Sequence, residues 1–232
     1  MNKVLVTRIA VFSAIFITGV LIATYMIGGA HKKKETEKNR PNVYAPADIV
    51  DKTMVDSSLL HKGSNHYIAD FSLTNQYGEE VTHKTVEGKV YVTDFFFTTC
   101  PTFCPRMTNQ LERVQKAFKD DDKFMILSHT VWPEVDSVEV ISSYADLHGA
   151  IKGKWHFLTG NKKTIYDLAR KSYFTLKPAE GENVGDGDSD FIHSNLFVLV
   201  DAKRQIRGFY DGTSKTDVNK MIKDATFLIE NE

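Results

Sequence analysis

Apolar and polar residues divide the chain into three zones. Residues 9–30 form one continuous run without a charged side chain, and residues 31–66 are rich in lysine, glutamate and asparagine. From Tyr67 onward, short apolar runs alternate with segments in which apolar residues recur every three or four positions. The short runs are typical of buried strands, and the spaced segments are typical of amphipathic helices. The sequence therefore predicts one α/β domain, preceded by an apolar segment and a polar linker.

The predicted elements of the domain alternate along residues 67–232. The strands are predicted at residues 67–74, 90–97, 124–128, 155–158 and 196–200. The helices are predicted at residues 107–118, 138–148 and 165–172. Because strands alternate with helices, we expect a mainly parallel sheet that is covered on both faces.

The apolar run is long enough to cross a membrane. A helix over residues 9–30 would extend about 33 Å, compared with about 30 Å for the hydrocarbon core of a bilayer. We therefore interpret residues 1–30 as a membrane anchor with one transmembrane helix, and residues 31–66 as a linker. A cleaved signal peptide is the main alternative, because small residues end the run at Gly28-Gly29-Ala30. Basic residues flank the run on both sides, so their distribution does not orient it.

The charge balance excludes one broad class of function. The chain has 29 lysine and arginine residues against 30 aspartate and glutamate residues, and its formal net charge is −1. A nearly neutral chain lacks the electrostatic signature of nucleic-acid binding. We therefore expect no nucleic-acid partner.

The candidate chemistry lies in two cysteines, the only ones in the chain. Cys100 and Cys104 occur in Thr99-Cys-Pro-Thr-Phe-Cys-Pro105, directly after the predicted strand 90–97. The carboxyl ends of strands are where α/β sheets place their chemistry, and the start of the next helix should lower the pKa of Cys104. A disulfide across so short a loop would stabilise the fold by only about 2 kcal/mol, which argues against a purely structural pair.

Two thiolates under-coordinate most metals, so a histidine is the expected third ligand. His193 precedes the last predicted strand, and it would lie beside the cysteines if that strand ran antiparallel to residues 90–97. His129 directly follows the strand at 124–128 and is a candidate substitute ligand or a candidate residue that supports a ligand from behind. The other histidines have no spacing that suggests coordination.

Two stretches together resemble the SCO/SenC family. The first is Gly88-Lys-Val-Tyr-Val-Thr-Asp-Phe-Phe-Phe-Thr-Thr-Cys-Pro-Thr-Phe-Cys-Pro-Arg-Met107, and the second is the histidine ahead of a strand that ends in Leu-Val-Asp201. The resemblance spans about residues 67–229. It implies a thioredoxin-like fold with a central mixed sheet flanked by helices, preceded by one N-terminal transmembrane helix.

The resemblance also implies a function. Members of this family are membrane-tethered copper proteins that assist assembly of the CuA centre of cytochrome c oxidase. By position, the copper ligands would be Cys100, Cys104 and His193, and this ligand set suits Cu(I) better than zinc. Cu(II) is the other oxidation state to consider.

The partners and the location follow from the same resemblance. The implied partners are the CuA-bearing subunit of cytochrome c oxidase, a thiol reductant and the membrane itself. The implied location is the inner (cytoplasmic) membrane, crossed once, with the globular domain on the extracytoplasmic or periplasmic side.

One segment departs from the family pattern. The family usually has an aspartate–proline pair after the second core strand and another aspartate shortly beyond. This chain has Ser128-His-Thr-Val-Trp-Pro-Glu-Val-Asp136, with Trp132 before the proline. Asp136 is expected to keep the second acidic position.

Two redox functions remain as alternatives. A thiol–disulfide oxidoreductase would use Cys100 and Cys104 as its catalytic pair, acting on acceptor cysteines. A peroxidase or redox sensor would need one reactive cysteine and would leave His193 unexplained. The three-residue spacer departs from the Cys-x-x-Cys of thioredoxin-like redox motifs, and no proline precedes the strand at 196–200, so copper binding is favoured.

Overall fold

The computed structural model describes residues 16–28, 36–49, 51, 54–55, 58–60, 63, 66–175 and 194–231. The chain divides into two units, residues 1–40 and residues 41–232. In the first unit, residues 16–28 and 36–39 are helical. Within the part of the chain that the structure describes, no helix combines the length and the apolar composition that a membrane crossing requires. Residues 1–15 and 29–30 of the predicted anchor lie outside the described residues.

The second unit is built on one seven-stranded sheet. Its strands are β1 (Ser72–Asn75), β2 (Glu80–Thr82), β3 (Val90–Phe96), β4 (Phe124–Thr130), β5 (Trp155–Thr159), β6 (Leu196–Val200) and β7 (Ile206–Asp211). Its α-helices are α1 (Cys104–Ala117), α2 (Val138–Leu147), α3 (Lys162–Asp167) and α4 (Lys215–Asn231). A turn of π-helix, Leu168–Ser172, continues α3.

The sheet is mixed, with the strand order β2-β1-β5-β4-β3-β6-β7. The three central strands, β3, β4 and β5, are parallel, and every other pairing is antiparallel. The alternation of strands and helices predicted a mainly parallel sheet, which is corrected here, whereas the central mixed sheet that the resemblance implied is confirmed. The reason is that hairpins at both ends, β1–β2 and β6–β7, add antiparallel strands that need no crossover helix.

The strands at the centre of the sheet are buried on both faces. Every residue of β3 and β4 is buried, which accounts for their continuous apolar runs. Phe118, which follows α1, stacks on Phe124 at 4.1 Å between ring centroids, so α1 covers one face. On the other face, Tyr173 lies 5.9 Å from Phe95. The core thus lies on both sides of the strands that lead to the cysteines.

The compact unit begins earlier than the sequence predicted. Residues 41–49 were expected in a linker, but the Tyr44 amide donates to the carbonyl of Ile206 at 2.9 Å. Arg207 donates to the carbonyl oxygens of Pro41 (2.7 Å) and Asn42 (3.3 Å) while it forms a buried ion pair with Asp201. This arginine therefore fastens the segment to the β6–β7 hairpin.

Candidate metal centre

The two cysteines lie where β3 passes into α1. After β3, residues 97–100 form a turn in which the Cys100 amide donates to the carbonyl of Phe97 at 3.2 Å. Cys104 is the first residue of α1, and Pro105 is tolerated directly after it because the first helical amides need no intrahelical partner. Both cysteines are free and nearly buried, with 6% of Cys100 and 5% of Cys104 exposed. The sequence placed this pair correctly at the carboxyl edge of the sheet.

The environment makes the two thiols unequal. Burial disfavours the Cys100 thiolate, but hydrogen bonds from the backbone of Cys104 and Thr102 and from the side chains of the same residues outweigh it, so the pKa of Cys100 is lowered to about 7. Burial, the neighbouring Cys100 and the charge of Asp94 all raise the pKa of Cys104 well above its usual range.

The expected lowering of the Cys104 pKa is therefore wrong, and the structure gives the reason. The amide at the start of α1 points at Cys100, so the helix terminus stabilises a thiolate on the neighbouring residue. The Cys104 side chain is itself buried, and the nearby Cys100 and Asp94 further disfavour a charge on its sulfur.

A buried polar group beside the cysteines was missed by sequence reasoning. Asp94 lies on the face of β3 that α1 covers, and it accepts a hydrogen bond of 2.5 Å from the Ser128 hydroxyl. The indole N–H of Trp155 donates to the same hydroxyl at 2.9 Å. Burial raises the pKa of Asp94 to about 7. An acidic residue inside the apolar run of β3 was the sequence signal that could have revealed it.

Further polar groups hold the start of α1. The Thr108 hydroxyl donates to the carbonyl of Cys104 at 2.8 Å and lies 2.9 Å from the Tyr144 hydroxyl. Burial raises the pKa of Tyr144 to about 12, and the charges of Cys104, Asp94 and Cys100 contribute to the increase. Tyr144 therefore lies within electrostatic reach of the thiols and stays protonated near neutral pH.

His193 lies outside the described residues, so its role as a ligand stays a prediction. Its strand context is described. Strand β6 runs antiparallel to β3, with Thr93 opposite Val198, so the start of β6 lies at the end of β3, as the sequence interpretation required. Ser194 and Asn195 lead into that start, and the carbonyl of Asn195 accepts a hydrogen bond from the Gly212 amide at 2.7 Å.

His129 does not join the cysteines. It pairs with Phe95 across β3 and β4, so its side chain lies on the face opposite that of Asp94. There it stacks on Phe95 with 5.1 Å between centroids and has its Nδ1 atom 2.9 Å from the Thr93 hydroxyl. Burial lowers the pKa of His129 to about 4. It is a neutral core residue, and the expectation that it replaces or supports a metal ligand is corrected accordingly.

Among the described residues, no group of three or more His, Cys, Asp and Glu side chains is arranged to hold a metal ion. The described part of the site is therefore a pair of neighbouring thiols, which can react in two ways. As thiolates they are soft ligands for a metal such as Cu(I). They can also be oxidised to a disulfide, in which state they cannot bind metal.

Comparison with known proteins identifies the relatives of this fold and site. The family model SCO1/SenC matches residues 61–229. The "SCO1 protein homolog" of Bacillus subtilis is 31% identical over 163 residues, which cover 69% of this chain and 81% of the relative.

Two solved structures show the same architecture. BsSco, described as having a disulfide switch and as a member of the Sco family of cytochrome c oxidase assembly proteins, has 28% identity and a TM-score of 0.60; the match covers 72% of this chain and 95% of that one. ScoI of Bradyrhizobium japonicum, solved with copper bound, has 26% identity and a TM-score of 0.55, with 70% and 99% covered. The mixed sheet with flanking helices is thus the thioredoxin-like fold of Sco proteins, and the chain belongs to the SCO1/SenC family.

Proposed function

We propose that this protein is a copper metallochaperone that binds Cu(I) through Cys100, Cys104 and His193 and assists assembly of the CuA centre of cytochrome c oxidase. The observation that carries the proposal is the pair of free thiols at the end of β3, beside the start of the strand that His193 precedes. The family, a relative solved with copper bound and another described as an oxidase assembly protein support it.

The chemistry of the donors favours Cu(I). Thiolate sulfur is a soft ligand that selects Cu(I), and two sulfurs with one imidazole form a three-coordinate set, whereas structural zinc takes four ligands. Because Cys100 has a lowered pKa, it presents a thiolate near neutral pH. Cys104 is protonated there and releases its proton when the metal binds.

The proposed transfer is an exchange of ligands with the acceptor. Thiolates of the CuA-bearing subunit replace Cys100, Cys104 and His193 at the metal one at a time, and the freed Cys104 takes up a proton. Copper stays Cu(I) throughout, so no electron is transferred in this step. A thiol reductant is required beforehand if the two cysteines have been oxidised to a disulfide.

We also propose where the protein acts. Residues 1–30 anchor it in the inner membrane, the following residues tether the compact unit, and that unit lies on the extracytoplasmic or periplasmic side. The uncharged run over residues 9–30 supports the anchor, since it is as long as a bilayer core is thick.

A second candidate function, thiol–disulfide oxidoreductase, is favoured by the inequality of the thiols. A thiol with a pKa of about 7 attacks disulfides well, and a buried partner with a raised pKa stays protonated until it resolves the mixed disulfide. In that reaction Cys100 attacks, one acceptor thiolate leaves, and Cys104 then displaces the second acceptor thiol while Cys100 and Cys104 become a disulfide. The acceptor gains the two electrons.

Anaerobic competition with a Cu(I) chelator distinguishes the two functions. The reduced full chain, solubilised in a mild detergent, is expected to take one Cu(I), and Cys100→Ser or Cys104→Ser should abolish tight binding. His83→Ala, which changes a histidine paired with Asp70, serves as the control and should bind as the wild type does. Absence of tight copper binding, together with catalytic turnover of a disulfide substrate, would contradict the chaperone function and support the oxidoreductase function.

A further inference from the structure

We propose that Asp136 is a positioning residue for the metal centre: its carboxylate holds the turn that carries Cys100 and so sets how the two sulfurs face each other. This inference rests on the proposed function, because it concerns the geometry of the same two thiols. Asp136 follows β4 in sequence and lies 38 residues from the turn that it contacts.

The contacts of Asp136 converge on Thr98, the first central residue of the turn 97–100. The Thr98 hydroxyl donates to one carboxylate oxygen at 2.5 Å. The Thr98 amide lies 3.4 and 3.3 Å from the two carboxylate oxygens, a longer and weaker shared contact. Asp136 is completely buried, so these bonds do not compete with water.

The same aspartate is fixed to the neighbouring strands. The Thr130 hydroxyl, at the end of β4, donates to its second carboxylate oxygen. The Thr159 hydroxyl, at the end of β5, donates to its backbone carbonyl at 2.9 Å. Its own amide donates to the carbonyl of Trp132 at 2.9 Å. Asp136 therefore connects the turn after β3 to the rigid edge formed by the next two strands.

The turn that Asp136 holds contacts both thiols. Its last residue is Cys100, whose amide closes the turn on Phe97. The backbone of Phe97 also hydrogen-bonds the Cys104 thiol. A displacement of the turn therefore moves Cys100 and removes a contact from Cys104 at the same time. Hydrogen-bonded groups that orient metal ligands typically change metal affinity by roughly 10- to 100-fold when they are removed.

The test compares two threonines that are bonded to the same aspartate. Thr98→Val removes the hydroxyl that links the carboxylate to the cysteine turn. Thr159→Val removes a buried hydroxyl of the same kind, which is bonded to the Asp136 carbonyl and does not touch the turn. Thr98→Ser keeps the hydroxyl and is the rescue variant, and Asp136→Asn changes the acceptor itself. All are prepared as the full chain in detergent, and their unfolding midpoints are measured alongside.

Two readouts are taken, the dissociation constant for Cu(I) and the equilibrium constant of the Cys100–Cys104 disulfide with glutathione. Thr98→Val and Asp136→Asn should weaken Cu(I) binding roughly 10-fold and shift the glutathione equilibrium. Thr159→Val should change both values much less than Thr98→Val does, even if it lowers the unfolding midpoint, because the carboxylate keeps its bonds to Thr130 and Thr98. Thr98→Ser should behave as the wild type.

Two results would overturn the inference: unchanged values in Thr98→Val and Asp136→Asn, or equal changes in Thr98→Val and Thr159→Val, which would indicate a general loss of packing. If the wild type binds no Cu(I), the proposed function fails. The glutathione equilibrium then decides the role of Asp136 by itself, because it depends on the geometry of the two sulfurs without any metal.

Discussion

The two cysteines differ in how well the protein stabilises a negative charge on each sulfur. Cys100 accepts hydrogen bonds from Thr102 and from Cys104 at the start of α1, whereas Cys104 is buried with Asp94 nearby. One thiol is therefore ready to ligate or attack near neutral pH. The Cys104 thiol loses its proton only when it binds a metal or forms a disulfide.

This inequality predicts the pH dependence of alkylation. In the reduced, metal-free protein, Cys100 should react with iodoacetamide with a rate midpoint near pH 7, because its pKa is lowered to about 7 and the thiolate is the reactive form. The rate should fall as the pH decreases below that value, and Cys104 should stay unlabelled. Mass spectrometry of Cys100→Ser and Cys104→Ser assigns the labelled site. Labelling of Cys104 first would refute the assignment.

Asp94 makes a prediction about stability. Its pKa is raised to about 7 in the folded protein, from about 3.9 in an unfolded chain, so the folded state binds the proton more tightly. The contribution of Asp94 to the free energy of unfolding therefore falls as the pH rises from about 4 to 7. Asp94→Asn removes this pH dependence. The free energy of unfolding of the variant minus that of the wild type should therefore be larger at pH 8 than at pH 4, by up to about 4 kcal/mol.

Denaturant unfolding at both pH values measures this difference. Asp146→Asn, at an exposed aspartate, is the control for a change of charge alone. If the wild type and Asp94→Asn lost stability in parallel with pH, the carboxyl of Asp94 would not be the group responsible.

At the scale of elements, the parts of the chain with a continuous or periodic apolar pattern could be predicted. Strands β3, β4 and β6 and helix α1 were expected close to their observed positions, since burial determines their patterns. Strand β2 has three residues and a single buried side chain, which is too short for a pattern to identify. Strand β7 contains the buried charge of Arg207, which interrupts its apolar run.

Helix α4 was not predicted although its sequence carries a signal. Its buried residues, Val218, Met221, Ala225 and Leu228, recur every three or four positions. The position of the site could be predicted from the two closely spaced cysteines, because this motif is local in sequence. The contact of Asp136 with Thr98 could not, since it depends on how three strands end together in the folded sheet.

Arg207 provides a test of how the early segment is fastened. Arg207→Ala should destabilise the protein by about 3–5 kcal/mol, because Asp201 would stay buried without its partner. Residues 41–49 should also become sensitive to proteases, since two of their carbonyl oxygens lose a donor. Lys152→Ala, which breaks an exposed ion pair with Glu79, is the control and should change little. Equal stability of the two variants would contradict this role.

At the scale of the whole molecule, the fold brings distant parts of the sequence to one edge of the sheet. The end of β3, the start of α1 and the start of β6 meet there, and the loop after β4 fixes the first of them. A protein that passes a metal to a partner needs its ligands at such an edge, where an acceptor can approach. We propose that His193, which precedes β6, completes the ligand set of the two cysteines.

X-ray absorption of the Cu(I)-loaded full chain tests this ligand set, with His193→Ala and His83→Ala measured beside the wild type. We expect two sulfur ligands and one nitrogen ligand in the wild type and in His83→Ala. In His193→Ala we expect loss of the nitrogen, with both sulfurs retained. A wild-type site with sulfur ligands alone, or an unchanged nitrogen in His193→Ala, would contradict this ligand set.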